Sequence, residues 1–115
     1  MTDDTRFDLD HYYTLHDLSR IYGDVKAAEP ALGDTDIREI VTAWQTTCIK
    51  PDLITAFIDA GCFDPDTAVA MLDAGMTPDD AAIEFESQYG YTNTVGYVVS
   101  NGDATIEQVI KTLVN

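Results

Sequence analysis

The sequence predicts an all-α fold, a compact single domain of about six short helices spanning residues 1–115. Three observations carry that expectation. Apolar residues recur at helical spacing through most of the chain. Pro-start, Gly-stop helical units repeat over residues 49–90, following the asymmetry that helices prefer at their two ends. The acid is mostly aspartate, 16 Asp against 5 Glu, and Asp favours caps and turns over helix interiors. A chain of 115 residues is of one-domain size, and its 45% hydrophobic content suffices for a core despite the acidity.

Residues 1–8 are expected to be mobile. Thr14 is a candidate N-cap for a first helix carrying Leu15, Leu18 and Tyr22 and stopping at Gly23. Residues 23–35, with Gly23, Pro30 and Gly33, read as a loop. Ile37, Ile40, Val41 and Trp44 then fall at i, i+3, i+4 and i+7, with Asp36 and Glu39 in capping-box relation.

The middle of the chain repeats. Pro51-Asp52, Pro65-Asp66 and Pro78-Asp79 recur at spacings of 14 and 13, and Asp59-Ala60-Gly61 returns 14 residues on as Asp73-Ala74-Gly75. Each unit reads as a short helix, with Asp64 and Thr77 as N-caps and with Gly61 and Gly75 supplying the left-handed stop. Leu53, Ile54, Phe57 and Ile58 form the first apolar face, Ala68, Met71 and Leu72 the second, and Ala81, Ala82 and Phe85 the third. Asn93-Thr94, Val95, Val98, Val99 and Gly102 overlay the Asp66–Gly75 unit, which makes 93–101 a fourth helix, although its valines and Tyr97 also suit a strand. A last helix starts at Asp103 or Thr105 and carries Ile106, Val109, Ile110 and Leu113. Helices of about eight to ten residues are marginal alone, so packing must hold them. The period is too short for a two-helix solenoid repeat unless two units make one.

The charge is the functional clue. Twenty-one acidic against six basic side chains give a net −15, which disfavours nucleic acid or an anionic membrane as a direct ligand. A basic or nucleic-acid-binding protein is the partner such a surface suits. There is no apolar run near 18 residues and no basic n-region followed by an apolar h-region, so a cytoplasmic location is expected. Cys48 and Cys62 lack Cys-x-x-Cys spacing and are expected as reduced thiols.

No chemistry-bearing constellation stands out. Asp64-x-Asp66 and Asp79-Asp80 fail calcium-loop spacing, because Pro65 interrupts the pattern and the sixth-position Gly and twelfth-position Glu are missing. Cys48, Cys62, His11 and His16 are not at zinc-ligand spacing. No nucleophile elbow or phosphate loop occurs. The expectation is therefore a non-enzyme without metal or cofactor. Tyr13–Gly23 resembles the first helix of a helix-turn-helix, but Asp24-Val25-Lys26-Ala27-Ala28-Glu29-Pro30 cannot be a basic recognition helix.

Many carboxylates are helix punctuation. Asp34, Asp36, Asp52, Asp64, Asp66, Asp79, Asp80 and Asp103 fall at caps or first turns, where the helix dipole favours them by roughly 0.3–1 kcal/mol each. Asp59 and Asp73 instead lie in last turns, where it disfavours them. No Lys or Arg occurs between Lys50 and Lys111, a stretch holding eleven carboxylates. Tyr89 and Tyr91, around Gly90 at an apparent helix end, add a candidate aromatic anchor. The candidate partner-binding residues are thus Asp59, Asp73, Asp79, Asp80, Glu84, Glu86, Tyr89 and Tyr91.

In size and charge the chain resembles the small acidic phage and plasmid inhibitors of restriction and CRISPR systems, which lack catalytic motifs. Its segment Tyr13–Ile58 resembles the helical part of ArdA-type antirestriction proteins. The resemblance implies a DNA mimic whose carboxylates fill a groove built for phosphates. The alternative is a small regulatory or scaffold module, acidic for solubility or because its host proteome is acidic.

Overall fold

The computed structural model describes residues 13–114, so the mobile start expected for residues 1–8, His11 and Tyr12 lie outside the described residues. In chain order the elements are α1 (Leu15–Ala28), α2 (Asp34–Thr46), α3 (Pro51–Asp59), α4 (Pro65–Asp73), α5 (Pro78–Ala81), β1 (Glu84–Glu86), β2 (Thr92–Thr94), α6 (Val95–Ser100) and α7 (Ile106–Val114). The molecule is mostly helical, as expected, with one small antiparallel hairpin among the described residues.

Helix α1 opens on the expected Thr14. Its hydroxyl accepts from the Asp17 amide at 3.0 Å, and the Asp17 carboxylate accepts from the Thr14 amide at 3.0 Å. The helix does not stop at Gly23. Leu18, Ile21, Tyr22 and Val25 continue one apolar stripe across it, Ile21 and Val25 are buried, and the chain stays helical until just before Pro30. Half of the expected 23–35 loop is therefore helix. Helix α2 likewise begins earlier than expected, behind Gly33, so Asp36 lies inside its first turn and forms no capping box with Glu39.

The repeat has a concrete structural form. Helices α3 and α4 end in Schellman motifs. In α3, Cys62 N–H reaches Phe57 O (2.9 Å) and Gly61 N–H reaches Ile58 O (2.9 Å). In α4, Met76 N–H reaches Met71 O (2.8 Å) and Gly75 N–H reaches Leu72 O (3.0 Å). Gly61 and Gly75 hold φ of 88° and 84°, the left-handed backbone that a side chain resists. Helix α6 ends in the same way, Asp103 N–H to Val98 O and Gly102 N–H to Val99 O, both 3.0 Å. The overlay of Val95–Gly102 on α4 thus holds at the C-terminal end. Its start differs, because Thr94 caps α6 and the two residues before it are strand.

The repeat also extends backwards. Cys48, 13 residues before Gly61, takes the left-handed position after α2 with φ 62°. There the Thr47 hydroxyl donates to Trp44 O (2.6 Å) and accepts from Ile49 N–H (3.1 Å), standing in for the missing long backbone bond.

The third unit departs from expectation. Thr77 caps α5 in a capping box with Asp80, but the helix lasts one turn, with Ala81 buried and Ala82 exposed. Ile83-Glu84-Phe85-Glu86 alternates apolar and acidic with period two, and Glu84–Glu86 runs as a strand that half-buries Phe85. Glu84 pairs with Thr94, Phe85 with Asn93 and Glu86 with Thr92. The ladder is closed by Ser87 N–H to Tyr91 O and Val95 N–H to Ile83 O, both 2.8 Å. Gly90, at φ 89°, supplies the left-handed residue that the connection between the strands, residues 87–91, needs. Tyr89-Gly90-Tyr91 is therefore a hairpin loop and not a helix end.

Helix α1 packs on both α2 and α3, and the core runs from there under α4 to α6. Trp44, Phe57, Ile21, Ile37, Ile49 and Ile54 are its largest fully buried side chains. One close approach is decisive. A Cβ on Gly96 would sit 2.8 Å from Ala60 O and 3.0 Å from Cys62 N, so only glycine lets α6 seat against the end of α3.

Candidate partner-binding surface

The eleven carboxylates between Lys50 and Lys111 divide by what they touch. Asp52 pairs with Arg20 at 3.0 Å. The Asp64 carboxylate accepts from the Thr67 hydroxyl (2.7 Å), and that of Asp80 from Thr77 N–H (2.9 Å). Asp103 accepts from the Tyr91 hydroxyl and from the Asn101 amide. The other seven, Asp59, Asp66, Asp73, Asp79, Glu84, Glu86 and Glu107, are exposed and have no hydrogen bond or ion pair among the described residues.

Local structure fixes where these seven stand. Asp59 and Asp73 are the last helical residues of α3 and α4, and neither helix has a cation in its last turn. An anion there faces the negative end of the dipole, at a cost of about 0.3–1 kcal/mol. Asp66, Asp79 and Glu107 occupy first turns, where the dipole favours them. Glu84 and Glu86 are two apart on β1, which places both on the face opposite Phe85, about 7 Å from each other by strand geometry. They are strand residues, not the helical ones expected. Asp59 also acts across the seam between α1 and α3. Partial burial pushes the Asp24 carboxyl above its usual range, and the Asp59 charge pushes it further.

Of the eight residues nominated from the sequence, Asp59, Asp73, Asp79, Glu84, Glu86 and Tyr89 are free to meet a partner. Tyr89, at the hairpin tip, is 69% exposed. Asp80 and Tyr91 are not free. Asp80 is occupied by the Thr77 capping box. Tyr91 bonds Asp103, which raises its phenol above the ordinary value, and meets Tyr97 edge-on at 6.3 Å. Asp66 and Glu107, counted among the eleven carboxylates but not nominated, are exposed and unengaged as well, each in a helix first turn.

The remaining chemistry is sparse. No three His, Cys, Asp or Glu side chains converge as metal ligands among the described residues. Cys62 is buried, and burial lifts its thiol to about 11, far from a reactive thiolate. An open groove of about 570 Å³ runs between the hairpin and α7, with Glu86 and Gln88 on one wall and Gln108 and Lys111 on the other. No described helix is long and apolar enough to cross a membrane. Compared with protein families, with curated proteins and with solved structures, the chain has no match.

Proposed function

We propose that this protein is a non-catalytic, acidic interaction protein of the cytoplasm, a DNA-mimic-type inhibitor of a nucleic-acid-processing complex. The reading rests on the seven exposed carboxylates from Asp59 to Glu107, unpartnered among the described residues and lying in a stretch with no Lys or Arg between Lys50 and Lys111. Such an array presents to a cationic groove what a phosphate backbone presents, and it repels nucleic acid itself. Two of the seven sit where they oppose folding, at the ends of α3 and α4. A binding role accounts for that cost better than solubility does, since a neutral polar residue would keep the surface wet.

The test is competition. Added to restriction or CRISPR effector complexes holding labelled duplex, the protein should displace DNA in low salt and lose that ability near 0.5 M, about where counterions screen exposed charges. Binding that survives such salt and excess DNA unchanged would refute mimicry.

A second reading, a regulatory or scaffold module, draws on one observation. Helix α7 leaves Ile110, Leu113 and Val114 exposed at 36%, 41% and 78%, an apolar edge beside Ala74 and Ile106. Salt-resistant binding abolished by Leu113→Asp would favour the module.

A further inference from the structure

We infer that the outer edge of β1 is a docking site for an extended, basic segment of a partner protein, which adds beside Glu84–Glu86 as an antiparallel strand. This contact goes beyond mimicry and does not rest on it, because main-chain pairing makes it and the charge array only selects the partner. In an antiparallel ladder, residues that exchange main-chain hydrogen bonds alternate with residues that do not. Ser87 N–H to Tyr91 O and Val95 N–H to Ile83 O, both 2.8 Å, mark positions 83 and 87 as bonded, and the register puts Phe85 in the same phase. Glu84 and Glu86 fall in the other phase. Their N–H and C=O groups point away from β2, and none of the four meets a partner among the described residues. A sheet edge in that state is a template for one more strand. The other edge of the hairpin is not equivalent, since Thr94 N–H is taken by the Asn93 side chain at 2.7 Å and Thr94 goes on to cap α6.

Room for the strand lies on the open side. The groove of about 570 Å³ is lined by the consecutive residues Phe85, Glu86, Ser87 and Gln88 and by no residue of β2, so it follows the free edge and not one face of the hairpin. Its far wall carries Gln108 and Lys111 of α7, polar side chains that suit the outward carbonyls of an added strand. Charge then selects the occupant. Residues directly opposite in a ladder share a face, so those across from Glu84 and Glu86 stand beside exposed carboxylates, on the face away from Phe85. Lys or Arg at both positions, around one apolar residue opposite Phe85, is the complementary pattern. A second copy of this edge would set Glu against Glu, which strand pairing disfavours. The same charges that guard the edge against its own copies therefore admit a basic strand.

The test titrates the intact protein with the peptide acetyl-Thr-Lys-Val-Lys-Thr-amide, followed by amide-proton NMR. The Glu84 and Glu86 amides should move saturably and exchange more slowly with solvent. In an antiparallel addition the two peptide lysines donate their main-chain N–H groups to β1, and the valine N–H points away. Methylating both lysine backbone nitrogens should therefore weaken binding about tenfold or more, while methylating the valine nitrogen should change it less than about twofold. All three peptides carry the same charge, so attraction to the acidic chain as a whole cannot produce that difference, and no protein variant is needed to see it. Glu84→Gln combined with Glu86→Gln should weaken the parent peptide about fivefold and keep the distinction between the methylated forms. The acidic counterpart, acetyl-Thr-Glu-Val-Glu-Thr-amide, should not bind. Unmoved Glu84 and Glu86 amides, equal binding of the lysine-methylated peptide, an affinity that the double Gln variant leaves unchanged, or equal binding of the acidic peptide overturns the assignment. Movement of the same amides on concentrating the protein alone would make a second copy the occupant and overturns it too.

Discussion

Gly23 stands in the middle of α1, away from the left-handed region, and an added Cβ there would meet nothing within 4 Å. Glycine costs a helix interior roughly 0.5–1 kcal/mol against alanine, mainly through backbone entropy, so Gly23→Ala should stabilise the protein by about that amount in urea unfolding. No gain would mean that this stretch frays. The Asp24 carboxyl makes a second, pH-dependent prediction. Its pKa is raised in the fold by burial and then by Asp59, so between the ordinary carboxylate value and the raised one the folded state holds the extra proton. This group therefore favours folding as pH falls through that window and opposes it above. Asp24→Asn should gain a few tenths of a kcal/mol at neutral pH, after discounting for the group's exposure, and the gain should fade as pH falls through the window and vanish below the ordinary carboxylate value. In Asp59→Asn, the Asp24 titration followed by carbon-detected NMR should move down toward the ordinary value. An unmoved titration would separate the two residues. At this scale the sequence showed which acids could be charged but not which were engaged. Asp80 and Tyr91 looked as available as Asp79 and Tyr89 until their partners, Thr77 and Asp103, were placed beside them.

Among the elements, local signals were the legible ones. Proline at the first helical position and glycine at the left-handed stop act within one turn, and both units that carry the full pattern, α3 and α4, begin and end where it says. The failures share one physical character. Residues 84–86 belong to a strand because Thr92–Thr94 lies across from them, a contact that the helical reading of Ala81, Ala82 and Phe85 could not weigh. Helix α1 outruns Gly23 because its stripe is held by packing on α2 and α3, which outweighs a weak local breaker. Gly96 gives the sharpest test of how the units fit together. It has no unusual φ, so its backbone tolerates alanine, yet the new methyl would meet Ala60 O at 2.8 Å and the backbone of Cys62 at 3.0 Å. Gly96→Ala should cost about 1–3 kcal/mol through overpacking, the opposite sign to Gly23→Ala despite the better helix former. A neutral result in chemical denaturation would mean that α6 can ride away from α3, and that the short helices are more loosely assembled than their caps suggest.

For the molecule as a whole the charge acts as a field. With −15 on 115 residues, exposed carboxylates repel one another over the Debye length, about 10 Å at 0.1 M salt, and oppose compactness. The cation-free stretch was visible in the sequence as a bare count of eleven. The structure divides that count into four carboxylates already engaged and seven exposed ones without a partner among the described residues, and those seven are the part that a salt titration senses and that the proposed partner would meet. Replacing the seven by Asn and Gln should therefore have two coupled effects. The variant should be more stable than the parent in low salt, because relief of mutual repulsion and of the helix-end cost at Asp59 and Asp73 outweighs the favourable first-turn charges lost at Asp66, Asp79 and Glu107, and the gap should close as salt rises toward 0.5 M. The same variant should no longer compete with DNA for a cationic groove. Thermal unfolding across a salt series, run beside the competition assay, keeps the two apart. A stability gap without loss of competition would place the binding surface elsewhere on the molecule. Loss of competition with no salt-dependent gap would mean that the carboxylates act singly, through local contacts, and not as a joint field.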